Sequence, residues 1–202
     1  MHHLIIRRTM NTAGKSDASG AFMPESKALK ELLIDRGQTV EMISLNECPP
    51  YRILSHYNKQ HTVSVFCHGW PRRVECFPRR EAGAFEVANW LKDSGTEFLN
   101  LFACSAAAED NSRTCFARAV AEHCHRIGHT VQVFGHETAG HTTWNPKARY
   151  YWATPQGVTT ERLCDPKLDG WVERRALRKR LRNDQEYRLL LPFIFDDEGE
   201  AE

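Results

Sequence analysis

Val63-Ser-Val-Phe-Cys-His68-Gly69 and Leu99-Asn-Leu-Phe-Ala-Cys104-Ser105 are two short apolar runs, and each stops at a reactive side chain followed by a small residue. Their β-branched and aromatic content suits strands. Near-continuous apolar character is the pattern of strands covered on both faces, as in a parallel sheet. Between them, Glu81 to Lys92 sets Phe85, Ala88 and Leu91 at helical spacing. Strand, helix and strand in that order predict a parallel crossover with His68 and Cys104 at the carboxyl ends of its strands. In open parallel sheets the functional crevice lies at those ends.

The pattern continues outward. Leu4 to Ile6 reads as an opening strand, Pro24 to Gly37 as a helix with Leu29, Leu32 and Leu33 on one face, and Thr39 to Leu45 as a strand. Downstream, Ser112 to Ile127 carries Cys115, Phe116, Ala119, Val120 and His123 as the apolar stripe of a helix, capped by Asn111 or Ser112 and stopped by Gly128. Thr130 to Phe134 and Ala148 to Ala153 are the fifth and sixth strands. The expected fold is α/β, a three-layer sandwich with a mostly parallel six-stranded sheet over residues 1–155. Residues 156–202 read as an extension packed on the same domain: a basic segment, Arg174 to Arg182, an apolar run, Leu189 to Phe195, and an acidic end, Asp196 to Glu202. The basic segment is taken as a solvated helix face.

A length of 202 residues, 41% apolar and 26% charged, fits one globular domain and excludes low-complexity or wholly disordered chains. Lys and Arg number 27 against 26 Asp and Glu, a formal charge of +1, so no global field steers the chain toward nucleic acid or an anionic membrane. No apolar run has the length of a membrane span, and Met1 to Met10 lacks the apolar core of a signal peptide. The expectation is a cytoplasmic protein with neither membrane nor nucleic acid as partner. Seven scattered cysteines with no Cys-x-x-Cys pair agree, because they read as reduced thiols and not as a disulfide framework.

His68 and Cys104 on neighbouring strand ends form a nucleophile and base pair. A thiol is only a few per cent ionised near neutral pH, and an imidazole beside it takes its proton or, as a cation, lowers its pKa. Gly69, lacking a side chain, lets its N–H approach a developing oxyanion, with the Cys104 N–H as second donor.

The two quoted patterns resemble the catalytic signatures of the caspase-like (clan CD) cysteine peptidases, the superfamily of caspases, metacaspases, gingipain-like, clostripain-like and CHAT-type enzymes. In these a hydrophobic strand ends in His-Gly and the next ends in Ala-Cys. The opening strand, the loop from Gly14, the helix to Gly37 and the strand Thr39 to Leu45 are similar in order to the start of that fold, so the likeness spans roughly residues 1–155 by element order. It implies a cysteine endopeptidase with Cys104 as nucleophile, His68 as general base, Gly69 at the oxyanion hole, a protein or peptide substrate and no cofactor. Regulation by a partner protein is compatible with it. The pentapeptide Gln-Ala-Cys-Arg/Gln-Gly of true caspases is absent: Phe102 stands two residues before Cys104 and Ser105-Ala106-Ala107 follows. The resemblance is therefore to the superfamily. A catalytically inactive member would keep the fold and use the same groove as an interaction module.

Relatives read a charged P1 side chain. Asp17, Glu109, Asp110 and Glu137 offer an acidic pocket, the favoured reading, and Arg7 and Arg8 offer a basic one. The short stretch Ser105 to Asn111 leaves no long linker to cut, which predicts an enzyme active as one uncut chain. Other clusters are read structurally. His123-Cys124-His125 with His129, and His136-Glu137-Thr-Ala-Gly-His141, depart from metal-ligand spacing, so no metal is assigned. His123 reads as core, and His125 and His129 as surface. Cys67 points to the face opposite His68 and reads as core. Thr142 to Pro146 is a turn near the groove, and Gly14-Lys15-Ser16 lacks the rest of a phosphate loop.

Overall fold

The computed structural model describes residues 1–8, 18–45, 61–77, 81–109, 114–138 and 147–162. The Gly14 loop, Asp17, Asp110, Asn111, Ser112, His141, the Thr142 to Pro146 turn and everything after residue 162 lie outside them. The elements are β1 (His2–Arg8), α1 (Ala18–Asp35), β2 (Thr39–Leu45), β3 (Thr62–Phe66), β4 (Gly69–Trp70), β5 (Arg73–Val74), α2 (Glu81–Ser94), β6 (Phe98–Phe102), α3 (Phe116–Arg126), β7 (Val131–His136), β8 (Ala148–Thr154) and β9 (Gly157–Arg162).

Seven strands form one sheet in the order β2-β1-β3-β6-β7-β8-β9, and β4 with β5 forms a separate hairpin. The first five strands of that order pair in parallel, while β8 and β9 are antiparallel. The expected six strands thus become seven. The boundary drawn after residue 155 falls inside the β8–β9 hairpin, in which Thr154 faces Gly157. Strand β9 escaped notice because Gly157-Val-Thr-Thr-Glu-Arg162 is short and polar, and its last four residues are exposed.

Chain order explains the layers. From β1 the chain moves to β2 on one side, and from β3 it steps through β6 to β7 on the other. Right-handed crossovers in opposite directions put their helices on opposite faces. Accordingly α1 lies against β1 and β2. The other face holds the main core, in which Leu4, Val63, Leu99, Leu101 and Val133 meet Val87, Leu91, Val120 and Cys124 of α2 and α3. Lys92 near the end of α2 donates to the Ile127 carbonyl at the end of α3, 2.7 Å away, where a cation complements the helix dipole. Gly128, at φ 70°, then lets the chain turn out of α3 in the left-handed region that side chains avoid.

The α1 face carries an aromatic row. Phe66 stacks on Phe102 at 4.5 Å between centroids, and Phe102, Phe134 and Tyr150 follow at 5.7 and 5.3 Å. Helix α1 begins at Ala18 and not at Pro24. Pro24 sits in its second turn, where the missing N–H removes one hydrogen bond without ending the helix.

Two buried histidines make this fold acid-sensitive. His136, wholly buried among Phe102 and Phe134, has no hydrogen-bond partner on either ring nitrogen among the described residues, and burial holds its pKa down to about 4. Burial does the same to His3, also to about 4, where its ring meets Ser64 Oγ at 2.9 Å. Between the ordinary histidine value near 6.5 and pH 4 the unfolded chain takes up a proton that the folded chain refuses, so stability falls as pH drops through that window and levels off below it. Each histidine contributes on the order of 3 kcal/mol to the loss. Replacing His136 with Phe should flatten the dependence of the denaturation midpoint on pH between 6.5 and 4; an unchanged slope would mean that His136 is not its source.

Candidate functional site

Strands β3 and β6 pair in parallel with Phe66 beside Phe102. Two residues beyond the last paired positions of these strands come His68 and Cys104, both at the carboxyl end of the sheet. A Cβ added at Gly69 would lie 2.5 Å from the Cys104 carbonyl oxygen and 2.8 Å from the Ala103 Cβ. No side chain fits between the two loops, and this close approach is why glycine follows His68. The site lies one strand from the switch between β1 and β3, where the order of the sheet reverses.

His68 is partly exposed and sits on the α1 face, with Phe22 of α1 edge-on to its ring at 5.4 Å and Trp70 tilted at 6.3 Å. Among the described cysteines only Cys104 is not buried. Burial pushes the Cys115 thiol up and the Cys124 thiol up to about 12. A hydrogen bond to Cys67, with burial, raises Cys76 as well. Those thiols are thereby kept protonated near neutral pH. Cys67 lies in the main core on the face opposite His68, as the period of two predicts.

Hairpin β4–β5 carries Gly69. Glu75 N–H donates to the His68 carbonyl at 2.9 Å, which makes His68 and Glu75 a hydrogen-bonded antiparallel pair. Gly69, facing Val74, then falls in the alternate position, where the N–H takes no part in the ladder. At the hairpin tip the Arg73 guanidinium lies 3.8 Å over the half-exposed Trp70 ring.

After Cys104 the chain is tied down at almost every residue. Ser105 takes φ 56°, unusual without glycine, and its N–H donates to Thr138 O at 3.0 Å. Ala107 N–H reaches His136 O at 2.8 Å. Helix α3 has Cys115 as N-cap with no side-chain cap, so the Asn111 or Ser112 cap is not what closes it. Its orphan amides go to the two site loops: Phe116 N–H donates to Pro71 O at 2.6 Å, and Ala117 N–H to Ala106 O at 2.9 Å.

An ion-pair network completes this end of the sheet. Arg149, its side chain 7% exposed, donates to Glu109 Oε2 at 2.6 Å and to Glu137 Oε1 at 2.7 Å. Arg118 reaches Glu109 Oε1 at 3.0 Å and Arg162 reaches Glu137 Oε1 at 3.0 Å. Burial works to raise the Glu109 pKa, but the Arg118 hydrogen bond and the Arg149 charge outweigh it and hold the carboxyl below its usual range. The acidic P1 pocket expected from Glu109 and Glu137 is thus answered internally by three arginines. Arg7 is likewise held by Ser44 and Ser26, and Arg8 by Glu75.

The histidine cluster disperses. His123 is half-buried against Phe85 and Arg126, not in the core. His125 Nδ1–H donates to Thr154 O and His129 Nε2–H to Thr96 O, both at 2.7 Å, so these two are fastened to backbone and not merely on the surface. No group of three metal-ligating side chains occurs among the described residues, and no helix among them is long and apolar enough to cross a membrane. No protein-family model and no curated protein matches the chain.

Gly69→Ala tests the close approach. Both contacts of the added methyl involve backbone or a short side chain that cannot rotate away, so the variant should lose about 1–3 kcal/mol in urea unfolding. A wild-type midpoint would show that the loops stand apart.

Proposed function

We propose that this protein is a cysteine endopeptidase of caspase-like fold, in which Cys104 attacks a peptide carbonyl and His68 moves the protons. The observation that carries this reading is the contact of Gly69 with the Cys104 carbonyl at the ends of adjacent parallel strands. His68 accepts the thiol proton. The Cys104 thiolate adds to the scissile carbonyl, and the Gly69 and Cys104 N–H groups face the resulting oxyanion. The intermediate collapses to a thioester as protonated His68 hands its proton to the departing amine. Water, deprotonated by His68, then hydrolyses the thioester and restores the free thiol.

Three features support the reading: Cys104 is the described cysteine that is not buried, His68 is oriented by Phe22, and the Cys104 loop is fastened before any substrate arrives. That fastening also favours activity as one uncut chain, since a protease needs several extended residues to cleave. A reducing, cytoplasmic setting suits the free thiols. The neutralised Glu109 and Glu137 leave the P1 preference to be read from a library.

The test has two arms. A thiol-directed peptidyl electrophile should label Cys104 selectively in the folded protein. With a substrate found in a P1-varied peptide library, Cys104→Ala should abolish turnover and His68→Ala should lower kcat/KM about 10²–10⁴-fold. Absence of labelling and turnover would replace the enzyme with an interaction module on the same fold. Equal damage from Cys67→Ala in a folded variant would move the nucleophile elsewhere.

A further inference from the structure

Cys67 and Cys76 flank the hairpin that carries His68. In its ladder Gly69 faces Val74 and Trp70 faces Arg73, and the next pair outward is His68 with Glu75, bonded at 2.9 Å. One step further along the chain from that pair come Cys67 on one side and Cys76 on the other. There the chain turns, Phe77 N–H donating to Val74 O at 3.0 Å, and the Cys76 thiol donates a hydrogen bond to the Cys67 sulfur. Each cysteine is the next residue out from the bonded His68–Glu75 pair, and with one sulfur hydrogen-bonded to the other they are close neighbours of the kind a disulfide joins, whose Cα atoms lie roughly 4.4–6.8 Å apart. Both thiols are buried in the main core, and the Arg8–Glu75 ion pair, 3.6 Å between Nε and Oε1, lies beside them.

We propose that Cys67 and Cys76 form a reversible disulfide that staples the base of the His68 hairpin under oxidising conditions. The oxidant class is a hydroperoxide. One thiolate attacks the peroxide oxygen, giving a sulfenic acid and releasing water from hydrogen peroxide. The second thiol displaces the sulfenic hydroxyl as a further water, and the S–S bond forms. Two sulfurs lose two electrons and the O–O bond gains them; a dithiol reductant reverses the change. Burial of both sulfurs makes the reaction slow, so it proceeds only through a transient local opening of the two-residue strands.

The site is separable from the chemistry proposed for Cys104, so the experiment is run on full-length Cys104→Ala protein, where a failure says nothing about catalysis. The folded protein is treated with hydrogen peroxide, denatured, alkylated and digested with trypsin. Cleavage after Arg72 and Arg73 separates the Cys67 peptide, Gln60 to Arg72, from the Cys76 peptide, Val74 to Arg79, unless a disulfide joins them. The expected product is that joined pair, intramolecular and released by dithiothreitol, together with a Tm about 5 °C higher than the reduced protein. Cys76→Ser should lose both the joined peptide and the Tm shift. Alkylation of both cysteines after oxidation, overoxidised Cys67 or Cys76, or pairing of either with another cysteine would each overturn the proposal.

Discussion

Two backbone amides at the start of α3 hold the carboxyl end of the sheet together. Phe116 N–H is spent on Pro71 of the His68 hairpin, and Ala117 N–H on Ala106 of the Cys104 loop. The first amides of any helix have no partner of their own and must find one when buried. Here no capping side chain competes for them, so the helix terminus serves as a bracket for two loops from different strands. Phe77 stacks on Phe116 at 5.9 Å and shields the same junction from water, where a lost hydrogen bond would leave a buried donor at a cost of about 1–3 kcal/mol. Because α3 is anchored by Val120, Ala121 and Cys124 in the main core, that core sets the position of both loops.

The sheet supplies the other half of the constraint. Adjacent parallel strands end level with one another, so residues that stop them arrive side by side without any long-range search. His68 and Cys104 are brought together by the Phe66–Phe102 register, and the stacked rings of that pair, one layer below, resist a slip of either strand. A slip of one residue would turn His68 to the opposite face, into the core where Cys67 now lies.

Legibility in the chain follows the range of the forces involved. The strands ending at His68 and Cys104 and the helix between them were readable because burial on a regular element leaves a periodic trace. The strand ends that carry His68 and Cys104 were therefore found, with the face of Cys67. What left no trace was decided by partners distant in sequence. His123 carries the correct spacing for the core, yet α2 leaves it half open beside Phe85. The true start of α3 is set by Pro71 and Ala106 and not by a capping side chain. Strand β9 is polar because an edge strand needs only its backbone to pair. Glu137 and Arg149 are twelve residues apart, and nothing in their spacing announces that they meet.

That last pair shows why the Cys104 loop is held by charge as well as by amides. Ser105 in the left-handed region costs about 1–2 kcal/mol for a residue with a side chain, and one bond to Thr138 offsets little more than that. Arg149 adds a grip of a different kind, since one guanidinium with 7% of its side chain exposed bridges Glu109 at the end of the loop to Glu137 after β7. Buried ion pairs of this kind contribute little net stability when complete, and each member here has a second partner, Arg118 for Glu109 and Arg162 for Glu137. The network therefore acts less as a source of stability than as a penalty on every arrangement in which the loop leaves β7. A strained residue persists only where its surroundings over-determine it, and Thr138, His136 and Arg149 together impose that condition on Ser105, beside Cys104.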